Sequence, residues 1–347
     1  MSQVVEHLAQ LTGFRDRDVL DVTLVGALHD LLQPTAVAIY RCVGEGEGQR
    51  WLTRARLGPG DTTATADPLW SDLDSLPTLA SQPGRHACLL RQETSVVPGA
   101  PGMVSMAYFP LSTDVQPVGV LEVATAAELT TEQVRLVNSI LRIYHNMQGL
   151  LDYSERDTLT GLLNRKTFDE SFMRIATEPV PATRAPTAGE ARRHGGVATT
   201  SWLAVIDIDH FKRVNDNYGH LIGDEVLLLL SRLMRSNFRF HDHLYRFGGE
   251  EFVVLMRCND PLHAASALER LRSRTENYAF PKVGRISVSI GFTALRAGDT
   301  PAAAFERADK AVYWVKQNGR NQVASHAELV GDGRLTESAR DSDVELF

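Results

Sequence analysis

Arg246-Phe247-Gly248-Gly249-Glu250-Glu251-Phe252 organises the C-terminal half of this chain. The flanking segments, His243 to Phe247 and Phe252 to Met256, read as strands. A Gly-Gly pair between strands predicts a hairpin turn, because glycine accepts positive φ at little steric cost. The turn pushes two carboxylates out of a sheet where backbone can approach a ligand closely. Paired carboxylates on a rigid hairpin suit a hard divalent cation and a general base. Taken alone, the four letters fit a solvated acidic turn equally well.

The surrounding composition bounds the alternatives. A length of 347 residues leaves room for about two domains. The formal net charge of −7 argues against a general nucleic-acid binder or a protein held on anionic lipid. Any phosphate ligand must therefore be met by a few local cations. Cys42, Cys88 and Cys258 are odd in number and widely spaced, which predicts reduced thiols and a cytoplasmic protein. Met1 to Leu11 carries Glu6 and His7 and lacks the apolar core of a secretory leader. Apolar runs such as Val226 to Leu230 are too short to cross a bilayer, so no membrane insertion is expected.

Residues 1–130 mix helix and strand signals. Val19 to Leu32 has helical spacing. Ala36 to Tyr40 and Arg50 to Arg56 read as strands around a Gly-rich turn, and Met103 to Leu111 pairs with Pro117 to Ala124. This α+β pattern resembles a GAF domain, which implies a sensory module for an unknown small-molecule or protein signal. Residues 131–156 then predict one long signalling helix, opened by Thr130-Thr131-Glu132-Gln133. Val134, Val137, Leu141, Tyr144, Gln148 and Leu151 recur at spacings of three and four. That stripe suits a dimeric coiled coil, or a helix packed on its own domain.

A second α+β domain is expected over 157–326, with a flexible acidic tail over 327–347. Trp202 to Ile208 reads as a buried central strand. Helices are expected over Lys166 to Ala176, Gly223 to Phe238, Pro261 to Glu276 and Ala302 to Gln317, and a strand over Arg285 to Leu295. Pro179 to Thr200 is rich in Pro, Ala, Thr, Arg and Gly and reads as a long loop inside the domain.

Chemistry-bearing residues gather where the central strand ends. Alternation places Asp207 and Asp209 on one face and Ile208 on the other. A carboxylate so close to a buried strand is costly unless paired or metal-bound, although a strand-end Asp also serves as a turn cap. His210-Phe211-Lys212-Arg213 follows, and Lys212 is the natural point charge for a phosphate. Asn215, Asp216, His220 and Asp224 come next. A carboxylate accepting guanine N1–H and N2–H beside an amide reading the purine edge would discriminate guanine from adenine. Lys316 and Arg320 lie at the end of the last helix, where cations complement the dipole or neutralise a triphosphate.

Together these segments resemble the GGDEF domain of diguanylate cyclases. The resemblance spans Asp157 to about Val323. It rests on Asp-x-Leu-Thr-Gly-Leu-x-Asn-Arg at 157–165, Asp-Ile-Asp-His-Phe-Lys at 207–212 and Asn-Asp-x-x-Gly-His at 215–220. Gly-Asp at 223–224, Gly-Gly-Glu-Glu-Phe at 248–252 and Lys-x-x-Gly-Arg-Asn at 316–321 complete it. The family implies a nucleotidyl-cyclase-like, ferredoxin-like central sheet flanked by helices. It implies a homodimer of half-sites that condenses two GTP into cyclic di-GMP with release of pyrophosphate.

In the family's pattern, Asp207, the Ile208 carbonyl, Glu250 and Glu251 would hold Mg2+ or Mn2+. Glu250 would serve the ribose 3′-hydroxyl as base, and Lys212 would stabilise phosphate charge. Asn215, Asp224 and His220 would meet the nucleoside, while the Phe211 backbone, Lys316 and Arg320 would grip phosphates. Arg239 and Asp242 occupy the offset of the family's product-binding inhibitory site; by themselves they are also an ordinary local ion pair. A non-enzymatic nucleotide receptor and a cyclase of another purine are the alternatives. The retained acids argue against the first and Asp224 against the second. Asn164 to Glu170 resembles a string of cyclic-nucleotide-binding GAF domains, but it falls inside the first helix of the cyclase-like segment.

Overall fold

The computed structural model describes residues 2–13, 16–44, 46–68, 71–100, 102–112, 117–177 and 200–336. The chain divides into two compact units, Met1–Ser154 and Glu155–Phe347. In the first, helices α1 (Ser2–Gly13) and α2 (Arg17–Leu32) precede strands β1 (Ala36–Val43) and β2 (Arg50–Leu57). Helix α3 (Pro83–Arg91) follows, then β3 (Ser95–Val97), β4 (Ser105–Ser112), β5 (Pro117–Thr125) and α4 (Thr131–Glu155). The five strands form a sheet in the order β2-β1-β5-β4-β3, and every named pairing is antiparallel.

Period-two alternation gives this sheet two apolar faces. Val37, Ile39, Leu121 and Val123 join one core with residues of α1, α2 and α4. Ala38, Tyr40 and Val120 join the other with Cys88 and Leu89 of α3. The apolar run 36–40 therefore belongs to a strand covered on both sides. Helix α1 and helix α3 carry no strong spacing signal and are absent from the sequence expectation.

Helix α4 begins as expected, with Thr130 Oγ accepting the Gln133 N–H and the Gln133 side chain accepting the Thr130 N–H. Its stripe departs from the coiled-coil expectation. Val137, Leu141, Tyr144 and Leu151 are buried in the unit's own core. Gln148 is buried too, donating to Tyr144 Oη at 2.8 Å and accepting from Arg41 at 3.1 Å. Tyr144 in turn donates to buried Asp21 of α2. The positions proposed for a second helix are filled from within, because spacings of three and four serve either partner equally.

The second unit holds β6 (Leu163–Asn164), α5 (Arg165–Thr177), β7 (Thr200–Ile208), α6 (Phe211–Tyr218), α7 (His220–Asn237) and β8 (His243–Gly248). It continues with β9 (Glu251–Cys258), α8 (Pro261–Asn277), β10 (Val288–Ala294), α9 (Pro301–Gln317), β11 (Val323–Ser325) and α10 (His326–Gly331). The sheet order is β11-β10-β7-β9-β8-β6, with β7 between β10 and β9. Ala204, Ile206 and Ile208 face a core shared with α7 and α8. The opposite face takes α9. A Cβ on Gly291 would lie 2.3 Å from the Ala308 carbonyl oxygen and 2.5 Å from the Val312 nitrogen. Helix and strand thus touch backbone to backbone there, and only glycine permits it.

One boundary differs from expectation. The tail set at 327 starts instead with α10, where Leu329 is 4% exposed and Ser325 caps the helix through the Glu328 N–H. Its apolar residues are too few to stand out in a polar segment, yet they cover the exposed side of α9. Residues 337–347, and the loop set at 179–200 apart from Thr200, lie outside the described residues.

Candidate active site

The β8–β9 hairpin closes by pairing Gly248 with Glu251, so the turn consists of Gly249 and Glu250. The sequence expectation placed the two glycines there, one residue earlier. A register shift between Arg246 and Gly248 accounts for the slip. Gly249 sits at φ +51°, in the left-handed region, and Gly248 at φ +143°. Glu250 is therefore presented at the turn, while Glu251 lies in the ladder.

Register then brings the acids together. Asp207 on β7 is the direct cross-strand partner of Glu251 on β9, which puts their Cα atoms about 5 Å apart. Asp207 is 5% exposed, and its Oδ2 meets Lys316 Nζ of α9 at 2.7 Å. Burial raises the Asp207 pKa, and Lys316 opposes that rise. Burial and the charge of Asp207 raise Glu250 and Glu251 in the same direction. This cluster of mutually repelling carboxylates fits a cation in charge and in oxygen donors. Among the described residues no three acid, His or Cys side chains form a ready coordination group. Oxygen donors that could meet a cation are the carboxylates of Asp207 and its strand partner Glu251, with Glu250 at the adjoining turn.

Asp209 shares a face with Asp207 but has a different fate. Its carboxylate accepts from Ser289 Oγ at 2.6 Å, Ser287 Oγ at 2.6 Å and the Asn321 N–H at 3.1 Å. It ties β7 to β10 and to the loop after α9. In that loop Arg320 and Asn321 adopt φ of +60° and +49°. Asn321 also donates to Glu276 at 2.8 Å and accepts from Arg272 at 2.8 Å, both on α8. These anchors of Asn321 were invisible in sequence, because their partners are distant along the chain.

After a two-residue turn at Asp209 and His210, the chain is helical from Phe211. Phe211 is buried at the start of α6, and Lys212 is exposed. Asn215 is half-buried, with Oδ1 only 2.0 Å from where a Cβ on Gly223 would lie. Gly223 therefore lets α7 close against α6 and brings Asn215 beside Asp224. Asp224 and His220 are exposed on α7.

Two supports of the turn also went unpredicted. Asp157 accepts from Thr160 N–H at 2.8 Å, Thr160 Oγ at 2.7 Å and Arg246 at 3.0 Å. Burial would raise its pKa, but these bonds hold it below the usual carboxylate range. Arg246 passes the connection on, donating to the Gly249 carbonyl at 2.9 Å. Phe247 is fixed by an edge contact with Phe168 and a stack on Phe305. Asn164 accepts from Thr167 N–H at the start of α5, so the string beginning at Asn164 has a local capping role.

Arg239 and Asp242 form a tight turn. The Asp242 carboxylate accepts the Arg239 N–H at 2.9 Å, and the Asp242 N–H donates to the Arg239 carbonyl at 3.0 Å. The Arg239 side chain is exposed, whereas the Asp242 side chain is 6% exposed. Burial pushes the Asp242 pKa up to about 6, although the Arg239 N–H and its charge oppose it. An acid with a raised folded pKa contributes stability that is fully present below its unfolded value of 3.8 and lost as pH rises through about 6. Asp242→Asn should therefore flatten the stability curve between pH 4 and 7 and gain roughly 2–3 kcal/mol over wild type near neutrality. Urea unfolding across that range is the measurement; parallel curves for the two proteins would contradict it.

Residues 154–322 match the family model described as diguanylate cyclase, GGDEF domain. The chain is 36% identical over 208 residues to diguanylate cyclase DgcP of Pseudomonas aeruginosa, covering 58% of this chain and 28% of that protein. It is 38% identical over 190 residues to diguanylate cyclase DgcS of Shewanella oneidensis, covering 54% of this chain and 56% of that one. The chain thus spans well under two thirds of these relatives. The GGDEF domain of DgcB from Caulobacter crescentus, solved in complex with c-di-GMP, is 33% identical with a TM-score of 0.43. That match covers 50% of this chain and 96% of the solved one.

Proposed function

We propose that this chain, with a GGDEF domain over residues 154–322, is a diguanylate cyclase that makes cyclic di-GMP from two GTP. The observation that carries the reading is the pairing of Asp207 with Glu251, with Glu250 at the adjoining turn and Lys316 against Asp207. A buried Asp207 facing half-buried Glu251 beside an open turn suits phosphoryl chemistry better than a structural ion pair.

The ribose 3′-oxygen of one nucleotide attacks the α-phosphorus of the other. The O–H bond breaks as the O–P bond forms, and pyrophosphate leaves with its electron pair. Glu250, its pKa raised by burial and the Asp207 charge, takes the proton or orients the hydroxyl. Lys212 and Arg320 face charge that accumulates on the phosphate oxygens. Lys316 alternates between Asp207 and phosphate. The Phe211 backbone bounds the phosphate site. Asp224 accepts from guanine N1–H and N2–H, Asn215 reads the purine edge, and His220 lies beside the nucleoside. Asp207, Glu251 and the Ile208 carbonyl would hold Mg2+, with Glu250 adjacent; the ion would supply charge neutralisation and acidify the hydroxyl. The same reaction on the second nucleotide closes the ring, so two half-sites must face each other in a homodimer.

The first unit fits a GAF-like sensory domain in a cytoplasmic protein, its signal biasing whether the half-sites meet. With the α4 stripe buried in its own core, that coupling does not use the stripe as a dimer seam. The Arg239 turn is the inhibitory site for product: Arg239 supplies the cation and Asp242 shapes the turn. Turnover of GTP to cyclic di-GMP with Mg2+ tests the activity, and a preparation that never forms product sinks it. Arg239→Ala should lift product inhibition at least tenfold in the inhibitory concentration, without altering initial rate; unchanged inhibition removes the regulatory claim.

A further inference from the structure

A second recess lies in the same unit, on the far flank of α6 from Lys212 and Asn215. Its volume is about 210 Å3, and it is bounded by α6 and by the segment leading into β10. Val214, Val283 and Ile286 contribute apolar wall, and Tyr218, 46% exposed, stands at the rim. Arg213 projects from α6 and Arg285 from the opposite segment, with His210 beside them. Both guanidinium-bearing residues are exposed, and among the described residues neither donates to a carboxylate. Glu276, whose carboxylate senses Arg285, is itself committed to Arg272 and Asn321.

The carboxylate in the recess is Asp209. Ser287, Ser289 and the Asn321 N–H already occupy both of its oxygens, and it is 5% exposed. Two arginines against one saturated carboxylate leave the recess cationic. Two guanidinium groups lining one cleft can take a tetrahedral oxyanion by paired N–H donation. The volume sets the size. Sites for whole organic ligands run from roughly 300 Å3 upward, so this one suits a phosphate or pyrophosphate group.

We propose that Arg213 and Arg285, with His210, form an oxyanion site for a small phosphate-class ligand, separate from the groove that carries the acids. The occupant is either a free inorganic anion or the phosphoryl group of a nucleotide whose remainder rests on Tyr218. Because Ser287 borders the recess and also holds Asp209, the site shares a residue with the anchoring of the Arg320 loop. The inference stands on the charge and shape of the recess and does not depend on the cyclase reading.

Calorimetric titration of the full chain without divalent metal tests it, in a Lys212→Ala background that weakens phosphate binding in the catalytic groove. Inorganic pyrophosphate and GMP are titrated separately. Arg213→Ala combined with Arg285→Ala should weaken binding of at least one probe tenfold or more, and the paired lysine substitutions should restore part of it. The melting temperature without anion should stay unchanged, since both side chains are exposed. Loss for pyrophosphate identifies a free anion, and loss for GMP alone identifies a nucleotide. Equal affinities with and without the two arginines, or no binding of either probe at millimolar concentration, overturns the site.

Discussion

Glu250→Ala should lower cyclic di-GMP formation at least ~100-fold while GTP binding changes by much less, since general-base contributions are typically ~10^2–10^4. The asymmetry follows from where the residue sits. Glu250 occupies the two-residue turn with Gly249 and has no ladder partner, so its loss disturbs little of the sheet. Glu251, one residue on, is paired with Asp207, and its removal changes the cation site itself. A kcat loss with near-constant KM is the signature of a group that acts in the transition state. As the group that takes the proton, Glu250 should give the wild-type rate an acidic limb, and Glu250→Gln should remove it. Rapid quench with labelled GTP measures the rate. A loss under threefold in the alanine variant would remove Glu250 from the chemistry.

Asp209→Ala should destabilise the second unit by roughly 3 kcal/mol or more, because hydrogen bonds to charged acceptors are worth ~1.5–3 kcal/mol each and orphaned buried donors cost ~1–3 kcal/mol. Ser289 is fully buried and would keep a hydroxyl with no acceptor, while the Asn321 N–H would lose its partner. The damage reaches the site through geometry. Arg320 and Asn321 both hold left-handed backbone angles, which persist only where the surroundings over-determine them. Freed from Asp209, the loop should relax, and KM for GTP should rise more than kcat falls. Asp209→Asn keeps one acceptor and should give an intermediate effect. Chemical denaturation with steady-state kinetics reads both consequences; a stability change within ~0.5 kcal/mol would show that the serines and the loop find other partners.

The two units differ in how much of them was legible. In the second, β7 is apolar from Trp202 to Ile206 and sits mid-sheet, the hairpin glycines mark a turn, and the helices over 220–237 and 301–317 follow their spacing. Where the sequence misled, a local pattern had two physical solutions. The α4 stripe fits a partner helix or its own core, and Asp21, Arg41 and the β1 face select the core. The polar segment after 326 hides one buried turn, because Leu329 alone offers too little contrast to mark a helix.

Local spacing by itself determined that two acids, Asp207 and Asp209, leave a buried strand on one face, and that a glycine turn holds two glutamates. Which acid is available for chemistry was decided only in three dimensions. Register sets Glu251 opposite Asp207, and the backbone contact at Gly291 seats α9 so that Lys316 reaches it. Two serines of the β10 segment and the Asn321 amide converge on Asp209 instead. The carboxylates are alike in sequence, but a hydrogen-bond partner eighty or more residues away is set by packing, and packing leaves no periodic trace along the chain.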